Sequence, residues 1–286
     1  MQKDVSLLLA ENGFVILDIL DKNEVDYLNQ LCSQFMHPAE QDFISSSHFL
    51  NKEDSKYINQ QLHLLLKEKI SNLFPELQLL GGTLATKRKG KNILKAHNDW
   101  SIVDETTYNS YNLWTTLVNT NKQNGTLGVI PGSHVWKNNI RGFQIPNAYE
   151  NFSKQFIEIG YEPELKAGQA ILYNHKLVHY SRPNTTDVAR NVAIIGLKDK
   201  SATLQVAIGT TNNKIEIYKT DEEDFYTFNA ESIRAKNQLL HQTKMPNSTL
   251  TWKQIEAQFH QHLPNDFLYL QQTNKSWIGK IKRIFQ

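Results

Sequence analysis

The chain has 286 residues, 40% hydrophobic and 21% charged, with a formal net charge of +2. That balance describes a globular protein with a sizeable core, excludes a disordered chain, and offers no charge footprint for nucleic acid or an acidic partner. The single cysteine, Cys32, excludes an internal disulfide; no apolar run is long enough for a membrane span; and MQKDVSLLLAENGF lacks the features of a signal peptide, so a reducing, cytoplasmic setting is expected.

Along the chain, residues 13–18 (GFVILD) read as a short buried strand. Asp21 then caps a helix, DKNEVDYLNQLCSQF, in which Val25, Leu28, Leu31, Cys32 and Phe35 recur at helical spacing, making Cys32 a core thiol. A second helix is expected over 54–73, with Ile58, Leu62, Leu65, Ile70 and Leu73 as its apolar stripe. From residue 77 the pattern changes to short segments rich in β-branched and aromatic residues: LQLLGGTLAT, NILKAHND, YNLWTTLVN, GTLGVIP, FIEIGY, QAILYN, NVAIIGLK, TLQVAIG and KIEIYK. Turn signals such as KGKN, NKQNG, IPGSH and RPNTTD separate them, which predicts a barrel or double-sheet jelly roll. Helices are expected again over 221–242, 251–262 and 275–285.

The sharpest local feature is Ala96-His97-Asn98-Asp99-Trp100 at the end of a strand-like run. Residues two apart in a strand face the same side, so His97 and Asp99 offer an imidazole nitrogen and a carboxylate oxygen to one ion. A third ligand from a distant strand would complete a facial set of two histidines and one carboxylate, which leaves cis positions open as non-haem Fe(II) requires. His-x-Asp alone also occurs in surface turns. The later segment, AGQAILYNHKLVHYSRPNTTDVARNVAI, adds to it: a strand leads to His179, then Ser181, Pro183 and Asn184, with Arg190 eleven residues after the histidine.

Together these segments resemble the phytanoyl-CoA dioxygenase family of Fe(II)/2-oxoglutarate-dependent oxygenases. In that family an H-x-D pair precedes N-G-x-L-x-x-x-P-G-S-H, and G-D-x-x-x-F…L-x-H-x-S-x-x-N…R follows. Here the middle stretch runs from Asn124-Gly125 to Pro131-Gly132-Ser133-His134, and Gly168-Gln169 replaces the common Gly-Asp. The likeness covers roughly residues 80–200, and three motifs in the right order make chance agreement improbable. It implies a mainly β fold with flanking helices, the double-stranded β-helix, a distorted cupin-like jelly roll. It also implies Fe(II) held by His97, Asp99 and His179, with 2-oxoglutarate and O2 as co-substrates. Arg190 matches the arginine that pairs with the far carboxylate of 2-oxoglutarate, a role suited to its rigid fork. Ser181 shares strand parity with His179 and offers a second hydrogen bond to that carboxylate. Trp114 lies near a family tryptophan that lines the co-substrate pocket. The family's halogenases lack the carboxylate ligand, so Asp99 favours hydroxylation, desaturation or demethylation over halogenation.

The expected organisation is one oxygenase domain over residues 1–286: an N-terminal helical buttress with one strand (1–76), a jelly-roll core (77–219) and a C-terminal helical extension (220–286). His175 has the same strand parity as His179 and competes as the ligand, but only His179 sets up the Ser181 and Arg190 spacing; His175 is read as a strand-end or pocket residue, and His134 as a brace for its turn. Lys87, Arg88, Lys89 and Lys91 around Gly90 read as a solvated hairpin tip, with steering of an anionic substrate as the functional alternative. In KSWIGKIKRIFQ, Trp277, Ile278, Ile281, Ile284 and Phe285 share a helical face, suited to docking on the core, on a second subunit or on a membrane surface. The expected substrate is a discrete small molecule in a pocket capped by the helical extension after residue 220, with specificity set by the loops 101–112 and 137–156 and the C-terminal helices, and with Tyr108, Tyr111 and Tyr173 as candidate lining residues. Two rivals remain: a cupin-type metalloenzyme that does not use 2-oxoglutarate, and a non-catalytic jelly-roll binding protein.

Overall fold

The structure, a computed structural model, describes residues 5–36, 41–137, 139–226, 228–246 and 250–264. A short helix α1 (Val5–Asn12) leads into β1 (Phe14–Asp18). α2 (Lys22–Phe35) begins with the expected capping box, in which Asp21 and Glu24 each bond the other's backbone N–H. β2 (Phe43–Ser45) and a single turn α3 (Ser46–Phe49) precede the long α4 (Lys52–Leu73), capped by Asn51. There follow β3 (Leu77–Lys87), β4 (Leu94–His97), β5 (Ser110–Thr116), β6 (Leu127–Val129), α5 (Ser153–Ile159), β7 (Gln169–Asn174), β8 (His179–Ser181), β9 (Arg190–Asp199), β10 (Gln205–Gly209) and β11 (Lys214–Lys219). The described chain closes with α6 (Glu222–Tyr226), α7 (Ala230–Lys236), β12 (Leu239–Lys244) and α8 (Trp252–His262).

The strands form an antiparallel six-stranded sheet in the order β1-β7-β5-β9-β3-β2, a three-stranded sheet β4-β8-β6 and a three-stranded sheet β10-β11-β12. This is the expected mainly β jelly roll with flanking helices. The large sheet is buried on both faces, which is why its strands read as near-continuous apolar runs. In β7, Ala170 and Leu172 pack against the helices while Ile171 and Tyr173 point between the sheets. β5 divides in the same way, Leu113 to the helices and Trp114 to the interior. On the helical side, Leu28, Leu31 and Cys32 of α2 meet Ile58, Leu62, Leu66 and Ile70 of α4. Each such large aliphatic side chain contributes roughly 1.5–3 kcal/mol on burial. Cys32 is the expected core thiol, and burial pushes its pKa up to about 12.

Four local expectations differ from the structure. Residues 156–159 form the end of α5 instead of a strand, and of the expected segment only Tyr161 makes a β-bridge, to Val129: the apolar pattern in FIEIGY suits either period, and Phe156 and Ile159 are buried together at helical spacing. Residues 221–242 are not one helix; two short helices are followed by β12, which pairs with β11, so the region after residue 220 carries a strand. On α4 the buried stripe runs through Leu66, and Leu73 is half exposed. The N-terminal part holds β1 and also β2, which adds an edge strand to β3. The amphipathic segment 275–285 lies outside the described residues. Among those described, no helix is long and apolar enough to cross a membrane.

Candidate metal centre

The small sheet brings the two histidines together. β4 pairs antiparallel with β8 so that His97 stands directly opposite His179. Asp99 lies just beyond the end of β4, where its backbone N–H donates to the His175 carbonyl at 3.0 Å. The candidate ligand atoms of His97, Asp99 and His179 all fall within 4.8 Å of one another. Asp99 Oδ1 is 3.9 Å from His97 Nε2 and 3.7 Å from His179 Nε2. The Nδ1 atoms are committed elsewhere: His97 Nδ1 bonds Lys95 O at 2.8 Å and His179 Nδ1 bonds Leu177 O at 3.0 Å. That arrangement fixes the ring orientation and leaves both Nε2 atoms facing inward.

Asp99 is oriented by Asn112 of β5, whose amide donates to Oδ2 at 2.9 Å. Burial alone would raise the Asp99 carboxyl, but the three surrounding imidazoles of His179, His175 and His97, with the Asn112 bond, draw it down to about 2. Burial, with the neighbouring His97, takes His179 down to about 4. Near neutral pH this pair therefore presents an ionised carboxylate and a neutral imidazole, the protonation states a divalent metal needs.

Beside this cluster lies a small recess of about 190 Å³, lined by Trp114, Tyr173, Ser181, Arg190 and Lys87 among others. Arg190 opens β9 directly opposite Lys87 at the end of β3. Its Nη1 donates to Gly125 O at 2.9 Å, its guanidinium lies 5.2 Å from the centre of the Trp114 ring, and its buried Nε has no partner. Lys87 Nζ donates to Ser181 Oγ at 2.9 Å and to Arg182 O at 2.6 Å. Burial lowers the Arg190 pKa to about 10; burial and then the Arg190 charge lower that of Lys87 to about 7. Among the described residues neither cation has a carboxylate partner. Two buried cations without an anion are costly, and an anionic ligand relieves that cost.

The sequence reading placed Lys87 in a solvated tip. The structure keeps only Lys89 and Lys91 there, exposed, while Lys87 is 2% exposed and faces the recess. Strand parity was the available signal: along β3, Lys87 shares a face with Ala85, which packs between the sheets. Ser181 lies in the recess as expected, but its hydroxyl proton goes to Gly125 O at 2.9 Å, and Lys87 donates to its oxygen.

A larger cavity of about 1290 Å³ opens on the other side of the cluster. His97, Asp99, Asn112 and Ile194 line both spaces, so the two meet at the candidate metal position. The loop 137–156 supplies much of its wall, as expected; Tyr173 faces the recess, and Tyr111 packs in the helix-covered core. His175 is not among the three clustered ligands; Nδ1 of its ring meets Ser110 Oγ at 3.0 Å. His134 braces its turn by a 3.0 Å bond to Ala10 O.

A jelly roll with two inward imidazoles and one carboxylate beside a buried pair of cations defines a class of non-haem metal sites. The profile of the phytanoyl-CoA dioxygenase family matches residues 9–192, well over half of the chain, and the chain belongs to that family. No curated protein is a significant match. Among solved structures, the epimerase SnoN in complex with Fe3+, alpha-ketoglutarate and nogalamycin RO is 17% identical over 70% of this chain and 84% of its own, with a TM-score of 0.52. EvdO2 from Micromonospora carbonacea var. aurantiaca, complexed with 2-oxoglutarate, is 18% identical over 70% and 91%, with a TM-score of 0.52. HygX from Streptomyces hygroscopicus, with nickel and 2-oxoglutarate bound, is 16% identical over 70% and 88%, with a TM-score of 0.53. At these identities the likeness is one of fold.

Proposed function

We propose that the chain is an Fe(II)- and 2-oxoglutarate-dependent oxygenase that hydroxylates a C–H bond of a small molecule, with His97, Asp99 and His179 as the iron ligands. The observation that carries this reading is the convergence of their ligand atoms within 4.8 Å, with both Nδ1 atoms tied to backbone carbonyls. The donor set fits the metal: two neutral nitrogens and one carboxylate on one side leave cis positions free. The recess suits the acid: Arg190 and Lys87 are buried cations beside it that would hold the far carboxylate of 2-oxoglutarate. Trp114 supports the guanidinium from the side, and Ser181 steadies Lys87.

When bound there with 2-oxoglutarate and O2, iron supplies the oxidising power for the C–H bond, with succinate and CO2 released. The side chains do the rest. Asn112 holds the Asp99 carboxylate in one orientation, the Lys95 and Leu177 carbonyls hold the imidazoles, and the larger cavity places the substrate on the side of the cluster away from the two cations. The same donor set suits epimerisation or ring closure begun by removal of a hydrogen atom. The test is oxygen-dependent succinate release by the iron-loaded protein across a substrate panel, followed by mass spectrometry of turned-over compounds. A product heavier by one oxygen supports hydroxylation; absence of any 2-oxoglutarate-dependent succinate ends the reading and leaves the metalloenzyme that does not use 2-oxoglutarate, or the binding protein.

A further inference from the structure

The three clustered ligands are not held alike. His97 sits in β4 and His179 in β8, within the strand pairing that sets each opposite the other. Asp99 lies beyond that pairing: residues 98–109, up to the start of β5, form neither helix nor strand. A carboxylate on irregular backbone is placed only as well as that backbone is fixed. Three contacts fix it here. The Asp99 N–H donates to His175 O at 3.0 Å, the Asn112 amide donates to Asp99 Oδ2 at 2.9 Å, and Arg141 Nε donates to Asp99 O at 2.9 Å.

The third contact comes from the wall of the large cavity. Arg141 belongs to the segment 137–156 that supplies much of that wall, and it lines the cavity itself. Its guanidinium is fixed in turn. Nη1 and Nη2 donate to the two carboxylate oxygens of Glu105, both at 2.6 Å, and Nη1 reaches Asn139 O at 3.2 Å. The main chains join as well: the Ser101 N–H donates to Arg141 O at 3.0 Å, the Arg141 N–H donates to Ser101 Oγ at 3.2 Å, and that hydroxyl donates to Glu105 at 3.1 Å. The Arg141 and Glu105 side chains are 13% and 15% exposed, so the fork is largely shielded from solvent. A rigid guanidinium plane can grip Glu105 with two nitrogens and give a third donor to Asp99; an ammonium on a flexible stem cannot do both at once. The Glu105 pair is enough to pin the segment, and the bond to Asp99 O is the part that bears on the ligand.

We propose that Arg141 is a positioning residue for the metal centre: it holds the main chain of Asp99 from the wall of the large cavity, with its guanidinium set by Glu105. The placing of the carboxylate ligand thereby depends on a segment that lines the substrate space. The proposal rests on the reading of Asp99 as an iron ligand. Partners one hydrogen bond behind a ligand commonly change metal affinity by about ten- to a hundredfold.

The test is titration of the full chain with Co(II) in place of iron, read by visible absorption, whose band positions and intensities follow the ligand geometry. Thermal unfolding of each metal-free variant is measured alongside. Arg141→Lys keeps a positive charge beside Glu105 but gives up the bond to Asp99 O. Its Co(II) affinity is expected to fall about tenfold or more, with altered band intensities, and Arg141→Met shows the same loss. Glu105→Gln keeps an acceptor for the guanidinium and keeps the Nε bond. Its spectrum is expected to match the parent's and its affinity to stay well within about tenfold, whatever it loses in melting temperature. Unchanged affinity and spectrum in Arg141→Lys overturn the proposal. So does a loss in Glu105→Gln equal to that in Arg141→Lys, since the metal then follows the integrity of the segment and not the bond to Asp99. Should Arg141→Met not fold, Arg141→Lys decides by the same criteria. A parent chain that binds no Co(II) sinks the ligand reading and this proposal with it; a parent that binds Co(II) through Asp99 and is indifferent to Arg141 sinks only this proposal.

Discussion

His97 and His179 face one another across the β4–β8 pair with ring centres 4.2 Å apart, and each ties its Nδ1 to the carbonyl two residues earlier in its own chain segment. The two imidazoles are thus held alike from segments far apart in sequence. Asp99, carried by the irregular segment just after β4, supplies the charge between them.

Replacing Asp99 with Ala removes the only carboxylate of the cluster. Affinity for Co(II), used as a stable stand-in for iron, is expected to fall by more than about a hundredfold, with succinate release abolished. Asn112→Leu leaves all three ligands but frees the carboxylate, and a loss of about ten- to a hundredfold is expected. Calorimetric metal titration checks both, and unchanged affinity in Asp99→Ala would falsify the ligand assignment.

Lys87 is predicted to make acid binding depend on pH. Its pKa in the folded chain is about 7, against an ordinary value of 10.5, so the unfolded chain binds more protons between those values. Its contribution to stability therefore becomes more favourable as pH rises from about 7 towards 10.5. A carboxylate in the recess favours the charged form, so 2-oxoglutarate binding takes up a proton at and above about pH 7 and weakens as pH rises. Calorimetry in buffers of different ionisation heat reads the uptake. In Lys87→Met the uptake vanishes and affinity drops by about ten- to a hundredfold.

Gly125 carries the carbonyl that accepts from both Ser181 and Arg190, and its φ is +76°, which L side chains rarely adopt. A Cβ there would lie 2.5 Å from Arg182 O. Gly125→Ala is expected to cost about 1–3 kcal/mol in denaturant unfolding and to raise the KM for 2-oxoglutarate together with it. A stability loss with unaltered KM would separate the turn from the anion recess.

Leu84 is fully buried in β3 against the helices, so Leu84→Ala is expected to destabilise by about 2–5 kcal/mol. Leu64 on the outer side of α4 is 76% exposed, and Leu64→Ala is expected to stay within about 0.5 kcal/mol of the parent. Equal effects would contradict the assignment of Leu84 to the core under the helices and of Leu64 to the outer face of α4.

Much of this protein was legible before any coordinates. The alternation in QAILYN, the capping box at Asp21 and the His-x-Asp pair are local patterns, governed by a two-residue strand period or by a few consecutive backbone groups. Local pattern failed where one stretch satisfies two periods. FIEIGY was read as a strand, and only the packing of Phe156 against Trp136, Tyr149 and Trp252 shows a helix. LLHQTK was folded into a helix because its strand partner, β11, lies upstream and contributes nothing to the local signal.

The residue types and their order along the chain determined the family, the jelly-roll class and the identity of the three clustered side chains. The tertiary structure alone decided which cations are buried, that Lys87 opposes Arg190 and leaves the surface cluster, that the Ser181 proton is spent on Gly125, and that His175 meets Ser110 instead of joining the three clustered ligands. Burial and the pairing of distant strands set those outcomes. Both are properties of the assembled sheets, and neighbouring residues in the chain carry no record of them.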